Sequence, residues 1–283
     1  MNTADPSRRR PPTPRQQRVA PVGGRFLDDP PLAMAHRGGA GYEPNLGNEN
    51  SLLAFGRAVD LGYRYLETDV RVSADGVPFC FHDPDLERTA GVQRPFAELT
   101  AEQIRDLRLR GGQPIPTVAE ALAAYPRTRF NLDVKVDAAV EALIGVLDEA
   151  DAYHRVLVGS FSQVRLRRFR SLRPQAATST SPAETVAFRW GAGPVASRGA
   201  RAGAVCLQVP LRFRGRRVVT ARVVRAAHRQ NLQVHVWTID DAPTMHYLLD
   251  WGVDGIITDR PDILKDVLVE RGQWHRQQSD TAG

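Results

Sequence analysis

Two histidines, several carboxylates, an arginine and a lysine stand at or near the ends of short apolar runs. His36 and Arg37 follow Leu32–Ala35, and Glu67 and Asp69 lie within Tyr65–Val70. His82 follows Pro78–Phe81, and Asp133 and Lys135 close the run Phe130–Val134. Residues two apart on an extended chain share a face, so Glu67 and Asp69 point the same way. Two such carboxylates repel unless a cation or a basic group joins them. Asp133 and Lys135 repeat the spacing. The pattern fits a hard cation held by Glu67, Asp69 and Asp133, with Glu49 as a nearby fourth carboxylate. All-oxygen ligation suits Mg²⁺ or Ca²⁺ rather than Zn²⁺. Taken singly, the same pairs also describe solvated strand edges or internal salt bridges.

His36 and His82 are candidates for proton transfer, because imidazole changes charge near neutral pH. Each is followed by a charged residue. Arg37 offers a planar fork of donors for a phosphate oxygen, or a barrel salt bridge, and Lys135 adds a point charge. Lys135 and Lys265 are the only lysines in a chain whose basic residues are otherwise arginine, which makes Lys135 conspicuous. His235 has the same strand parity as Trp237. Trp237 read alone is core packing. Asp259, before Arg260-Pro261, reads as a cap for the last helix.

The elements that must carry these groups alternate. Expected strands are Leu32–Ala35, Tyr65–Val70, Pro78–Phe81, Phe130–Val134, Val156–Gly159, Ala176–Ser179, Ala204–Gln208, Gln233–Thr238 and Gly255–Thr258. Helical patterns separate most of them, from Ser51–Leu61 to Pro261–Arg271. Such alternation indicates parallel strands with crossover helices. With Pro78–Phe81 set aside as a hairpin partner, eight strands remain, enough for an α/β (β/α)8 barrel. Periodicity alone also allows an open doubly wound sheet. In a barrel, catalytic groups gather at the C-terminal strand ends, where these residues fall.

Bulk properties bound the rest. At 283 residues the chain can form one large domain. The net charge of +6 raises anionic partners, but no known nucleic-acid-binding module accompanies it. Peripheral contact with an anionic membrane stays open. Cys80 and Cys206 read as buried free thiols. No apolar run approaches the ~18 residues of a membrane span, and the N-terminus lacks the apolar core of a secretory signal, so a cytoplasmic enzyme is expected. Residues 1–25, rich in Pro and Arg, and 273–283 are expected to be disordered tails around a domain at 30–272. The Gly-rich segment after His36 reads as a flexible lip, and residues 84–116 as a short insertion after the second strand. A P-loop, a dinucleotide fingerprint and a G-x-S-x-G elbow are all absent.

The order HRG, ENS, AF, E-T-D-V, D-G, HD, then NLDVKVD, GSFS, VHVWTID and GIITDRP resembles the glycerophosphodiester phosphodiesterase family over roughly residues 32–265. The resemblance implies the TIM barrel. It implies a metal-dependent hydrolase that cleaves glycerophosphodiesters to glycerol 3-phosphate and an alcohol. It makes His36 and His82 the general acid/base pair and sets Trp237 in the substrate pocket with Arg37 and Lys135. The family usually has Glu where this chain has Asp133. Two other readings stand beside it: a lysophospholipase D acting at a membrane surface, and an inactive barrel used for binding, whose expected mark would be a lost histidine or ligand.

Overall fold

The computed structural model describes residues 26–190 and 203–274. Among these, eight parallel strands close a barrel: β1 (Leu32–His36), β2 (Tyr65–Val72), β6 (Arg129–Val134), β7 (Val156–Gly159), β8 (Ala177–Ser179), β9 (Ala204–Pro210), β12 (Gln233–Trp237) and β13 (Gly255–Thr258). Pairing of β1 with both β13 and β2 seals the ring. The short β3 (Pro78–Cys80) runs antiparallel beside β2, the added partner expected from its sequence. Helices lie between consecutive barrel strands and after the last, from Leu52–Asp60 to Pro261–Glu270. The open-sheet alternative is excluded by the closure.

Two apolar layers explain why these sequences make these elements. Outward-facing Leu66, Val70, Phe130, Leu132, Val158, Leu207, Val234 and Ile256 pack under the helices in the main core. Inward-facing Leu32, Met34, Tyr65, Leu157, Cys206 and Ile257 fill the barrel floor, plugged by Phe26. Strands buried on both faces carry near-continuous apolar runs, as these do. The register then sets a boundary. Met34 lies beside Tyr65 in the apolar layer, and two residues on His36 lies beside Glu67. Polar inward positions therefore begin at one level of the barrel, toward the C-terminal strand ends.

Local signals hold the helices in place. Ser51 accepts from Ala54 N, and Thr117 and Glu120 form a reciprocal capping box. Asn231, just past the Ala221–His228 helix, sits at φ 57°, the left-handed conformation that asparagine tolerates at helix ends. Both thiols are buried and unpaired. No helix among the described residues is long and apolar enough to cross a membrane.

Several details differ from expectation. Residues 84–116 contain a two-stranded ladder, β4 (Asp85–Leu86) with β5 (Val92–Pro95), and a helical turn at Glu87–Ala90. They build a small core of their own, in which Phe96 stacks on Phe81 at 4.6 Å. A second unexpected hairpin joins β10 (Arg212–Phe213) to β11 (Arg216–Arg217). The lip after His36 is pinned, not loose. The fully buried Asn45 donates to the carbonyls of Gly38 (3.0 Å) and Gly39 (3.3 Å), and a Cβ on Gly39 would fall 2.6 Å from Pro261 Cγ. At the other end the chain packs two residues past the expected edge of the domain, with Trp274 edge-on to Tyr63 at 5.3 Å. The basic segment 1–25 and residues 275–283 lie outside the described residues.

One buried ion pair braces the far side of the barrel. Arg170 donates to both oxygens of Glu184, at 2.8 and 3.2 Å, and to the Ser179 carbonyl at 2.8 Å. Glu184 also accepts from Ser181 N (2.7 Å), closing a capping box for the Pro182–Trp190 helix. Glu184→Ala strands a buried guanidinium and is expected to cost about 3–5 kcal/mol. Glu141→Ala, which removes the exposed partner of Arg168, is expected to cost at most ~1 kcal/mol. Chemical denaturation of the two variants measures the difference; equal effects would contradict it.

Candidate active site

The sequence-predicted residues converge. His36, Arg37, Glu67, Asp69, His82, Asp133, Lys135 and Trp237 all line one open cavity of about 760 Å³ at the C-terminal end of the barrel. Register explains the convergence. Glu67 pairs with Asn131, and Asp69 with Asp133, across β2 and β6, so four polar side chains form two stacked inward layers. Gly159 sits beside Asp133 on β7 and leaves room for Ser179 and Gln208.

The three inward carboxylates share too few cations. Asp69 lies 2.8 Å from Lys135 Nζ and 3.2 Å from Arg37 Nε, and accepts from Asn50 Nδ2 at 3.1 Å. Lys135 also donates to Asp133 Oδ2 at 2.5 Å. Burial would raise Asp69, but Lys135, Arg37 and His82 hold its carboxyl below the usual range. Glu67 has no such partner. It receives only the Arg37 amide (3.2 Å) and faces His36 Nε2 at 3.7 Å. Burial, and then the Asp69 charge, push it up to about 7. Burial also raises Asp133, with Asp69 adding to the rise over the opposition of Lys135.

The two histidines are built alike. His36 Nδ1 donates to Asp259 Oδ1 at 2.7 Å, and His82 Nδ1 to Asp83 Oδ1 at 2.6 Å. A carboxylate on Nδ1 fixes the tautomer and leaves Nε2 for the other partner. Burial would lower His36, but Glu67 and Asp259 outweigh it and the pKa rises above its ordinary 6.5. For His82 burial wins over Asp69 and Asp83, and the pKa falls below 6.5. Asp259 is thus a partner of His36 and not the helix cap expected; the cap position belongs to Arg260, with no side-chain cap bond.

Glu49, expected as a nearby fourth carboxylate, is engaged by two arginines. Its carboxylate is gripped by Arg88 through two hydrogen bonds (2.6 and 2.7 Å) and by Arg37 Nη1 at 3.0 Å. It anchors Arg37 from behind. Arg88 reaches from the insertion and also binds Asp83 Oδ2 at 2.6 Å, so the insertion is tied to the histidine side of the site. His235 is fully buried, bonds Gln233 at 3.0 Å and is pulled down to about 4 by burial, which makes it a neutral core residue. Trp237 meets Phe161 edge-on at 5.5 Å, and Lys135 Nζ lies 5.4 Å from the Phe161 ring.

Sequence reasoning passed over Asn50, Asp83, Arg88 and Phe161. Asn50 immediately precedes the Ser51 cap of the Leu52–Asp60 helix. It sits at φ 59°, accepts from Thr68 Oγ1 at 2.7 Å, and hands its amide to Asp69.

Two features of the donor set suit a hard cation. Asp133 Oδ1 and Asn131 Oδ1 are buried with no hydrogen-bond partner among the described residues. Two cations, Arg37 and Lys135, face three carboxylates. The residues fit in chemistry and in charge. As placed, no three His, Cys, Asp or Glu groups among the described residues close around an ion, since the Lys135 ammonium lies between Asp69 and Asp133.

The comparisons agree with this geometry. Residues 36–263 match the model of the glycerophosphoryl diester phosphodiesterase family. A protein of Mycobacterium tuberculosis described as probable glycerophosphodiester phosphodiesterase 2 is 41% identical, over 86% of this chain and 92% of its own. A glycerophosphodiester phosphodiesterase of Caldanaerobacter subterraneus is 27% identical over 85% of this chain and 98% of its own. Among solved structures, an Oleispira antarctica phosphodiesterase in complex with the product sn-glycerol-3-phosphate superposes with a TM-score of 0.71 at 23% identity, covering 85% and 97% of the two chains. A phosphodiesterase of Agrobacterium tumefaciens gives 0.68 at 22% identity, covering 84% and 99%. At such identities these structures speak for the shared fold.

Asn50 separates two effects by mutation. Asn50→Gly keeps the left-handed backbone and loses the two hydrogen bonds; Asn50→Ala loses both. Asn50→Ala is expected to be less stable than Asn50→Gly by about 1–2 kcal/mol, the left-handed penalty of a Cβ. Urea unfolding of the pair checks this; equal stability would show the backbone there to be relaxed.

Proposed function

The chain belongs to the glycerophosphoryl diester phosphodiesterase family, and on that premise we propose that it hydrolyses glycerophosphodiesters to glycerol 3-phosphate and an alcohol, with a bound divalent cation. The observation that carries the reading is the paired construction of the two histidines on one cavity with a carboxylate cluster and two cations. Glu67, Asp69 and Asp133 would hold Mg²⁺ or Ca²⁺, which would neutralise charge on the phosphoryl oxygens. Arg37 and Lys135 line the same cavity. They suit the remaining phosphate charge, and Trp237 with Phe161 suits an apolar face of the substrate.

His82, whose pKa lies low, takes a proton from the attacking water as the water oxygen bonds to phosphorus. The P–O bond to the alcohol breaks, and His36, whose pKa lies high, returns a proton to the departing oxygen. Asp83 and Asp259 hold the two rings in register for this exchange. Only the neutral form of His82 can accept, so activity falls below its pKa. Only the protonated form of His36 can donate, so activity falls above its pKa. The expected pH profile is a bell spanning 6.5.

A second reading is favoured by the apolar share of the cavity wall, where Val186, Val209, Pro210 and Phe213 accompany Trp237. A lysophospholipid could lay its chain there.

Three outcomes are expected. Turnover of glycerophosphocholine or glycerophosphoethanolamine, read as glycerol 3-phosphate, should be abolished by EDTA and restored by a divalent cation. His36→Ala should lower kcat by roughly 10²–10⁴-fold; a variant as fast as the parent would remove the assigned role. Asp259→Asn removes a negative charge that holds the His36 proton, so the alkaline limb should move to lower pH with the acid limb in place. An unmoved or raised alkaline limb would contradict the assignment.

A further inference from the structure

The β10–β11 hairpin is not used by the chemistry above, and its composition is unusual. Arg212, Phe213, Arg214, Arg216 and Arg217 are all exposed, with Phe213 at 62%. Arg214 (φ 48°) and Gly215 (φ 75°) form the turn, both left-handed, as a tight two-residue hairpin requires. The register sets Arg212 directly opposite Arg217. Like charges in that position cost stability.

Nothing among the described residues repays the cost with a carboxylate. Half-buried arginines elsewhere have one: Arg165 with Asp137, Arg173 with Asp148, Arg260 with Asp262, Arg271 with Asp250. Exposed arginines such as Arg94 and Arg229 make none among the described residues, but they stand singly rather than four to a hairpin. The hairpin arginines make no ion pair among the described residues. Arg217 instead stacks on Tyr247 and Trp251, each at 5.4 Å, and Arg214 on Phe213 at 5.5 Å. Stacking holds the guanidinium groups in place and leaves their charge uncompensated. Phe213, Arg214, Arg216 and Arg217 also border the catalytic cavity. Phe161 (61%) and Val186 (51%) are exposed on the same border.

We propose that this hairpin docks the barrel mouth on an anionic lipid bilayer. The arginines meet the acidic headgroups, and Phe213 enters the boundary between headgroup and acyl chain. Uncompensated cations flanking an exposed ring match a surface that is anionic outside and apolar just beneath. A nucleic acid would match the charge but leaves Phe213 no apolar layer to enter. Docking at this place would face the cavity toward the membrane. The proposal is independent of the hydrolytic reading, since binding is measured without turnover.

The test is co-sedimentation of the full chain with vesicles of phosphatidylcholine alone or with about one third phosphatidylglycerol. Binding is expected only to the mixed vesicles, and should weaken at about 0.5 M salt, where screening shortens to a few ångströms. The triple variant Arg212→Glu, Arg214→Glu, Arg216→Glu and the single variant Phe213→Ser should each bind at least ~10-fold more weakly. The melting temperature controls for folding, and Phe213→Ser alone decides the matter if the triple variant does not fold. Arg8→Gln, Arg9→Gln, Arg10→Gln should leave binding in place. Equal binding to phosphatidylcholine alone, loss of binding in the tail variant with none in the hairpin variants, or tighter binding to duplex DNA that Phe213→Ser leaves unchanged would each overturn the proposal.

Discussion

The structure depends on an electrostatic imbalance at one level of the barrel. Below that level the interior is Met34, Tyr65, Leu157 and Ile257, an apolar plug. At and above it stand Glu67, Asp69 and Asp133, two of them on one strand and the third beside them by register. Charge in such a place is costly unless matched. The chain supplies Lys135 and Arg37, and Arg37 is itself held by Glu49, which is held by Arg88. The shortfall falls on Glu67, whose carboxyl is pushed up to about 7. A folded barrel tolerates this because the outer apolar layer, packed under the helices, is continuous around it.

That arrangement links fold to chemistry without extra devices. Parallel strands bring the polar ends of β1, β2 and β6 to one rim. Antiparallel β3 carries the chain on to His82 on the same rim. The insertion then does structural work for the site. Its Arg88 joins Asp83 to Glu49, so the support of His82 and the support of Arg37 share one guanidinium. A change in the position of the insertion would therefore be felt at both.

What could be read from the sequence was what is local. The i, i+2 pairs Glu67/Asp69 and Asp133/Lys135 follow from strand geometry, and the barrel from alternation. The partners of the histidines divide by distance. Asp83 is adjacent to His82 but was taken only as a charged neighbour. Asp259 lies 223 positions from His36, and its place before Arg260-Pro261 suggested a cap. No spacing rule connects it to β1; only ring closure through β13 does. The partners of Glu49 were not legible either, since Arg88 lies 39 positions away in the insertion. The ladder around Arg212 to Arg217 carries no hydrophobic alternation, and strands of two residues are too short to show a period; only Gly215 at its centre hints at a turn. Asn45 shows the same limit: its bonds pin a loop whose glycines alone suggested freedom.

The three inward carboxylates, short of matching charge, are expected to take up a divalent cation. Titration of the protein with Mn²⁺, followed by loss of the free-ion electron paramagnetic resonance signal, measures this without any substrate. The expected result is one ion bound per chain, with affinity lowered about 10-fold or more in Glu67→Gln. Equal Mn²⁺ uptake by the parent and Glu67→Gln, or no uptake by either, would contradict it.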